Sequence, residues 1–293
     1  MMNFKCIEDL VQQSELRKLP IYELILQYES EKSQMERADI LAAMKKNWQV
    51  MKASAEKGIA NQEKSNSGLA GGDAKKVSEY LEQGYMGKTV LKAAAYAIGI
   101  SEVNAVMGKI VACPTAGSCG ILPAAILAVA EQKKFTEEQI LNALFTAAGI
   151  GMVIEQNASI SGAEGGCQAE CGSAAAMTAA ALVELAGGSP EQVAQSVALA
   201  LKNLLGLVCD PVAGLVEVPC VKRNGFASIY AMLAADMAMA GVQSMIPVDE
   251  VIDAMYQIGN ALPKSLRETA EAGLAASPTA RRLENTLYGK TEL

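Results

Sequence analysis

Apolar residues recur at helical spacing along most of the chain, and no stretch alternates with the period of two that marks a half-buried strand. Ile7, Leu10 and Val11 predict a short first helix, and Pro20 opens a second one. Over residues 29–57 charged side chains occupy one helical face and apolar side chains the other. We therefore expect the N-terminal part of the chain to form amphipathic helices that serve as scaffold.

The same spacing predicts further helices downstream, and start and stop signals support two of them. Thr136 is followed by acidic residues in a first helical turn, as the helix dipole favours. Ser189 and Pro190 follow a glycine pair as a serine cap and a first-turn proline. The predicted spans are residues 77–83, 89–107, 124–130, 136–150 with an extension over 152–157, 168–185, 190–205, 223–245, 248–261 and 266–275. We expect an all-α fold, a single large helical domain over residues 1–293.

Two loops rich in glycine and small polar residues interrupt the first half of this pattern. Residues 61–73 are either a solvated linker or a loop whose freed backbone N–H groups bind an anion. Residues 111–123 precede an apolar helix, so their small polar residues are either an ordinary N-cap or an anion site. The crowding of Thr115, Gly117 and Ser118 into one short turn favours the anion site.

Composition excludes several classes of protein. The 293 residues are 51% hydrophobic but only 4% aromatic, so the core is built from small and aliphatic side chains. The net charge of −7 and the lack of a basic run argue against nucleic acid and anionic membrane as partners. Residues 226–248 carry a single charge, Asp236, and are long enough to span a bilayer, but we favour a buried helix. The absence of histidine removes the commonest general base and metal ligand.

The cysteines suggest a reducing compartment. The chain contains seven cysteines. Glu8 and Asp9 interrupt the N-terminal residues before they could form the apolar segment of a secretion signal. We therefore expect reduced thiols and a cytoplasmic location.

Three cysteines, Cys167, Cys209 and Cys220, each have Gly or Pro within two positions. Their separations of 42 and 11 positions do not fit a zinc finger, whose ligands come in close pairs. Two interpretations stay open: the thiols bind a metal group, since iron–sulfur clusters require thiolates, or they are inert buried thiols. Cys171, one helical turn after Cys167, is a reserve ligand.

Four separated segments, in order, resemble the catalytic domain of the iron–sulfur-dependent L-serine dehydratases. They are residues 67–72 (Ser-Gly-Leu-Ala-Gly-Gly), 114–120 (Pro-Thr-Ala-Gly-Ser-Cys-Gly), 160–168 (Ile-Ser-Gly-Ala-Glu-Gly-Gly-Cys-Gln) and 209–220 (Cys-Asp-Pro-Val-Ala-Gly through Val-Pro-Cys). The resemblance spans residues 60–260 and is to the separate alpha subunit of the two-chain form.

This resemblance implies a [4Fe–4S] cluster held by Cys167, Cys209 and Cys220, with glycine-rich loops converging on it. It implies elimination of water from L-serine to give pyruvate and ammonia, and a beta subunit of the same enzyme or a homo-oligomer as partner. Residues 1–60 would be the helical scaffold and residues 61–260 the catalytic core.

The chain departs from the family pattern at two places. Some single-chain members end in a cysteine that blocks the fourth iron, whereas this sequence ends in Leu293, so we expect an iron open to water or substrate. Many members carry histidines ahead of the second ligand, where Asn203 and Leu204 stand here.

The residue roles that follow are expectations. Thr115, Gly117 and Ser118 would bind the substrate carboxylate. The general base is not settled by the sequence, and the candidates are Lys64, Ser67, Glu164 and Ser118.

Lys64 and Ser67, with Ser65, would also close over the substrate. Two other functions compete: a different iron–sulfur hydro-lyase acting on a related hydroxy acid, and a non-enzymatic helical scaffold with buried thiols.

Overall fold

The computed structural model describes residues 4–289. The expectations about an N-terminal leader and a C-terminal cysteine fall in part on residues 1–3 and 290–293, which lie outside the described residues. The helices are α1 Ile7–Arg17, α2 Ile21–Ser33, α3 Arg37–Ala60, α4 Asp73–Glu79, α5 Lys88–Ala105, α6 Ile121–Lys133, α7 Glu137–Asn157, α8 Gly162–Gly165, α9 Ser173–Leu185, α10 Pro190–Lys202, α11 Cys220–Met239, α12 Val248–Ala261 and α13 Pro278–Tyr288.

One π-helical turn, Gln168–Gly172, leads directly into α9, and three 3₁₀ turns occur at Val212–Gly214, Lys264–Leu266 and Gly273–Ala276. The described residues form no strand, only one isolated bridge between Cys209 and Arg267. The all-α prediction is confirmed.

Helix α9 lies at the centre of the molecule and contacts α6, α7, α10 and α11. Its residues are buried except Glu184, which is half-buried. Alanine occupies much of the helix, including Ala174, Ala175 and Ala176, all fully buried. Small side chains allow the surrounding helices to approach closely, so this alanine-rich segment suits a central position.

The N-terminal helices form an outer layer, as predicted. α1 packs on α10, α2 on α7 and α3 on α5. They bury large apolar side chains, six of which are at most 1% exposed: Phe4, Ile7, Leu10, Ile21, Leu24 and Leu26. Each such side chain contributes about 1.5–3 kcal/mol through burial.

The helix predicted over residues 266–275 is wrong. Glu268 and Ala270 have positive φ angles of 64° and 57°, so the chain turns through short 3₁₀ segments instead. The final helix is α13, which the sequence analysis missed. Ser277 accepts from the Ala280 N–H and Pro278 stands in the first turn, so the start signals were present.

Several other helix boundaries differ from the predicted ones: α4 is Asp73–Glu79 where residues 77–83 were predicted, and α9 begins at Ser173 after the π-helical turn. α7 continues through Gly149 and Gly151 without a break, because those positions meet the side chains of Ile25 and Met177 and allow close packing. α11 begins at Cys220 and ends at Met239, since Gly241 adopts a φ of 87°. None of the helices in residues 4–289 is long and apolar enough to cross a membrane, α11 included.

Candidate active site

The loop of residues 111–120 and the turn that follows Cys167 meet through Glu170. Thr115 Oγ1 donates a hydrogen bond to Glu170 Oε1 at 2.7 Å. A Cβ atom at Gly117 would lie 2.9 Å from Oε1, and one at Gly162 would lie 2.8 Å from Oε2. The carboxylate therefore sits between two backbones that only glycine allows this close.

Cys167 is held by the residue that follows it. The fully buried Gln168 donates from Nε2 to the Met255 carbonyl at 2.8 Å and accepts from the Gly206 N–H at 2.9 Å. Its own N–H donates to the Leu207 carbonyl at 2.9 Å. One glutamine thus fixes the first cysteine segment to α12 and to the segment that leads to the second.

Cys209 is held by the segment that follows α12. Its N–H donates to the Leu266 carbonyl at 2.9 Å, and its carbonyl accepts from the Glu268 N–H at 2.8 Å. The neighbouring Asp210, 3% exposed, accepts from the Leu274 N–H at 2.7 Å and pairs with Arg223 at 2.9 Å. Contacts to the second cysteine therefore extend beyond residue 260.

Cys220 begins α11, and Asn224 one turn later connects it to the second loop. The fully buried Asn224 accepts from the Gly120 N–H at 2.9 Å and donates to the carbonyls of Gly117 and Cys220 at 2.7 Å and 3.0 Å. A single amide thereby fixes the distance between the second loop and the third cysteine.

The loop of residues 61–72 reaches this region through Glu217. The buried Glu217 carboxylate accepts from Ser65 Oγ at 2.5 Å and from Ser67 Oγ at 2.7 Å. Lys64 Nζ donates to the Gly71 carbonyl at 2.7 Å and closes the loop on itself. Four glycine-rich loops are therefore joined to one another, as the predicted convergence requires.

Four cysteines lie together inside this junction. Cys167, Cys171 and Cys209 pack in one buried apolar cluster, and Cys220 is close enough to influence their charge states. Cys167 Sγ and Cys171 Sγ lie 3.3 Å apart, within hydrogen-bond distance of each other. All seven cysteines of the chain are free thiols.

The thiols differ in their readiness to ionise. The hydrogen bond with Cys171 lowers the pKa of the Cys167 thiol against the effect of burial, and the positive charge of Arg223 lowers it further. The same bond, followed by burial, raises the pKa of Cys171 well above its usual range. Burial raises the pKa of Cys209, and it raises that of Cys220 to about 12. Cys167 is therefore the thiol of the group that ionises most readily.

Cysteine thiolates are the donor type that iron–sulfur clusters require, and four buried thiols are present here. In residues 4–289 no three His, Cys, Asp or Glu side chains converge as ligands of one ion. Thiolates of a multi-iron cluster each bind a different iron, so they need to surround a group and not a point. Two buried side-chain polar atoms of the described chain lack a partner: Ser173 Oγ, two residues after Cys171, and Nε of Arg267, the residue bridged to Cys209.

The predicted site residues do not all lie at this junction. Thr115 and Gly117 contact Glu170, and Ser118 Oγ lies 3.1 Å from Thr115 Oγ1. Glu164 is exposed, and its carboxylate accepts from Ser159 Oγ at 2.5 Å.

Glu164 and Arg267 line a surface cavity of about 380 Å³ that also contains Gln168, Met255 and Tyr256. A second cavity of about 440 Å³ is lined by Cys171, Arg223 and Phe226, among others. The cysteine junction is thus approached by surface cavities on two sides.

The sequence analysis missed three residues that organise the site: Glu170, Glu217 and Asn224. Glu170 is an acidic residue between two cysteines at the start of an uncharged alanine-rich helix, which was a usable signal. Glu217 stands alone among apolar residues of the 215–221 segment, which was another. No local pattern distinguishes Asn224, because its partners lie more than 100 positions away in the sequence.

The chain belongs to the serine dehydratase alpha chain family, whose sequence profile matches residues 16–275. It is 50% identical over 288 residues to the probable L-serine dehydratase, alpha chain, of Bacillus subtilis (strain 168), covering 98% of this chain and 96% of that protein. It is 46% identical over 269 residues to the L-serine dehydratase, alpha chain, of Peptoniphilus asaccharolyticus, covering 91% and 92% of the two chains. The L-serine dehydratase of Streptomyces coelicolor is 37% identical over 282 residues, which are 94% of this chain but 61% of that longer protein.

Proposed function

We propose that this chain is the catalytic subunit of an L-serine dehydratase, which removes water from L-serine to give pyruvate and ammonia. The observation that carries the proposal is the junction of four buried cysteines with Glu170 and with the loop of residues 111–120, the Thr115 loop, in a member of this family. The rival hydroxy-acid lyase and the scaffold without activity are outcomes of the test below.

Cys167, Cys209 and Cys220 would hold a [4Fe–4S] cluster, with the Cys171 thiol 3.3 Å from the first of them. Such a cluster supplies Lewis acidity, which makes hydroxide a better leaving group. Burial of the three thiols to 6% exposure or less keeps bulk water from them.

The remaining roles belong to side chains of the loops. Thr115, Gly117 and Ser118 would bind the substrate carboxylate, with Ser65 closing the site from the first loop. Of the candidate bases Lys64, Ser67 and Glu164, Ser67 has the strongest support, because its hydroxyl donates to the buried Glu217 carboxylate at 2.7 Å. That carboxylate is positioned to take up the hydroxyl proton when Ser67 removes the α-proton of serine.

Residues 61–260 would be the catalytic core and residues 1–60 its scaffold, in a cytoplasmic enzyme. The partner would be a beta subunit, or a second copy of this chain. The names of the B. subtilis and P. asaccharolyticus relatives specify an alpha chain, and the Streptomyces relative is longer than this chain. Both facts support a beta subunit as the partner.

The proposal is tested on protein purified without oxygen. We expect iron and acid-labile sulfide in equal amounts, a visible absorption that bleaches in air, and pyruvate formed from L-serine. Turnover of hydroxy acids in place of L-serine would support the rival lyase. Protein that stays free of iron after anaerobic reconstitution would contradict the cluster.

A further inference from the structure

Glu170 is a half-buried carboxylate without a cationic partner. No Lys or Arg side chain of the described residues lies within 4.0 Å of it, and its assigned side-chain contact is the Thr115 hydroxyl. Burial raises the pKa of Glu170 despite this hydrogen bond, and the nearby Glu268 adds repulsion. A partly desolvated carboxylate without a counter-ion can still accept a cationic group, so Glu170 is free to bind a positively charged partner from outside the chain.

The space around Glu170 is shaped from two sides by backbone. Gly117 and Gly162 approach its two carboxylate oxygens so closely that a side chain at either position would require the carboxylate to move. The added Cβ at Gly162 would also lie 3.2 Å from Cys209 Sγ. The carboxylate therefore lies between the Thr115 loop and the second cysteine.

We propose that Glu170 binds the α-ammonium group of the substrate, an inference that rests on the proposed function. The ammonium and carboxylate groups of an amino acid are attached to one carbon. When the Thr115 loop binds the substrate carboxylate, the ammonium group is therefore brought close to Glu170, which accepts the hydrogen bond from the Thr115 hydroxyl. A charge-assisted hydrogen bond then forms where the free protein has an unpaired anion.

This role makes Glu170 a specificity-determining residue. A hydroxy acid offers a neutral hydroxyl at the same carbon, and it leaves the carboxylate without a counter-ion. Glu170 would thus select amino acids over hydroxy acids. Among the described residues it is the acidic side chain that is hydrogen-bonded to the Thr115 loop.

The test compares the binding of L-serine and L-glycerate, which carries a hydroxyl in place of the ammonium, to cluster-loaded protein by anaerobic calorimetry. In Glu170→Gln we expect L-serine to bind about 10- to 100-fold more weakly, as loss of a hydrogen bond to a charged group implies. L-glycerate should bind within about 3-fold of its wild-type affinity, or more tightly. The control is Glu155→Gln, which alters an exposed carboxylate on α7 that has no role at the site and should change neither affinity.

Several outcomes would overturn the role. An L-serine affinity within 3-fold of wild type in Glu170→Gln, or an equal loss for both ligands, would reduce Glu170 to a support of the Thr115 loop. If Glu170→Gln loses iron or melts early, Glu170→Asp replaces it and should keep the preference for L-serine over L-glycerate. Failure of the proposed function itself looks different, because wild-type protein with its cluster would then bind no L-serine.

Discussion

The N-terminal helices and the cysteine junction are both buried, but different interactions hold them. In α1 and α2 the fully buried side chains are apolar, and their contribution is roughly proportional to the area removed from water. At the junction Glu217 and Asn224 are buried polar groups, each satisfied by particular partners. Burial alone is enough in the first region, whereas each hydrogen bond in the second depends on one geometry.

This difference separates stability from activity. A truncated side chain in the N-terminal layer weakens the whole fold and leaves the site geometry intact. A changed side chain at the junction removes one function and leaves most of the core untouched. The predictions that follow test that separation.

Replacement of Cys209 by serine should have the largest effect. If Cys209 is a cluster ligand, we expect iron, acid-labile sulfide and pyruvate formation each to fall by at least about 100-fold, since even changes beside metal ligands cost 10- to 100-fold. The measurements are iron and sulfide analysis and the L-serine assay.

The matched control for this prediction is Cys119→Ala, which removes another fully buried thiol. Cys119 belongs to the second loop, where its carbonyl accepts from Cys113 Sγ at 3.4 Å. This variant should keep its iron, and wild-type iron content in Cys209→Ser would contradict the ligand assignment.

Replacement of Leu24 by alanine tests the apolar layer. Leu24 lies on the buried face of α2 and is fully buried, so its truncation should lower the free energy of unfolding by about 2–5 kcal/mol. Urea unfolding measures this loss. Leu16→Ala removes the same side chain where it is 78% exposed and should cost less than about 0.5 kcal/mol.

If the two regions are independent, Leu24→Ala should leave the active site unchanged. Iron content and turnover per folded molecule should match the wild type at 25 °C. A loss of turnover beyond the unfolded fraction would show that the N-terminal layer shapes the site.

Replacement of Glu217 by glutamine should release the first loop. The amide keeps the shape of the carboxylate but weakens the hydrogen bonds from Ser65 and Ser67, so we expect a loss of about 1–3 kcal/mol. Limited proteolysis should cut residues 61–72 faster than in the wild type. Glu63→Gln, an exposed change in the same loop, should leave the cleavage rate unchanged. Equal cleavage rates in the two variants would contradict the role of Glu217 in holding the loop through Ser65 and Ser67.

Helical periodicity predicted the N-terminal layer because its helices are decided locally. The spacing of Ile7, Leu10 and Val11 and the opening at Pro20 each determine an element within a few residues. The error at residues 266–275 has a physical cause in tertiary structure. Hydrogen bonds of Leu266, Glu268 and Leu274 to Cys209 and Asp210 hold that segment in turns.

The loops of the site were found through their glycines and cysteines, but the links between them were not. Asn224 bonds to residues more than 100 positions away, and Glu217 to residues 150 and 152 positions away. Such pairs leave no periodic pattern, because side chains of any spacing can meet once the helices have packed. The role of Glu170 became visible only with the two glycines that enclose it.

Replacement of Asp73 by asparagine should have the smallest effect and a characteristic dependence on pH. Asp73 begins α4 and pairs with Lys222 at 2.7 Å and Lys76 at 2.8 Å, which together lower its pKa from 3.8 to about 2. A lowered carboxyl pKa contributes stability above the unfolded value near pH 4, and the contribution disappears as the pH falls toward 2. Because the pairs are partly exposed, we expect Asp73→Asn to cost about 1 kcal/mol at pH 7.

Urea unfolding at pH 7, 5, 4 and 3 measures this dependence, with Asp253→Asn, an exposed change on α12, as the control at each pH. The difference between wild type and Asp73→Asn should shrink as the pH is lowered from 5 to 3, while the control stays near zero throughout. A difference that grew on acidification would mean that Asp73 is destabilised by its surroundings. Lys222 lies two residues after Cys220, so a shrinking difference would show that part of the attachment between α4 and the cysteine junction is electrostatic, in contrast to the N-terminal layer.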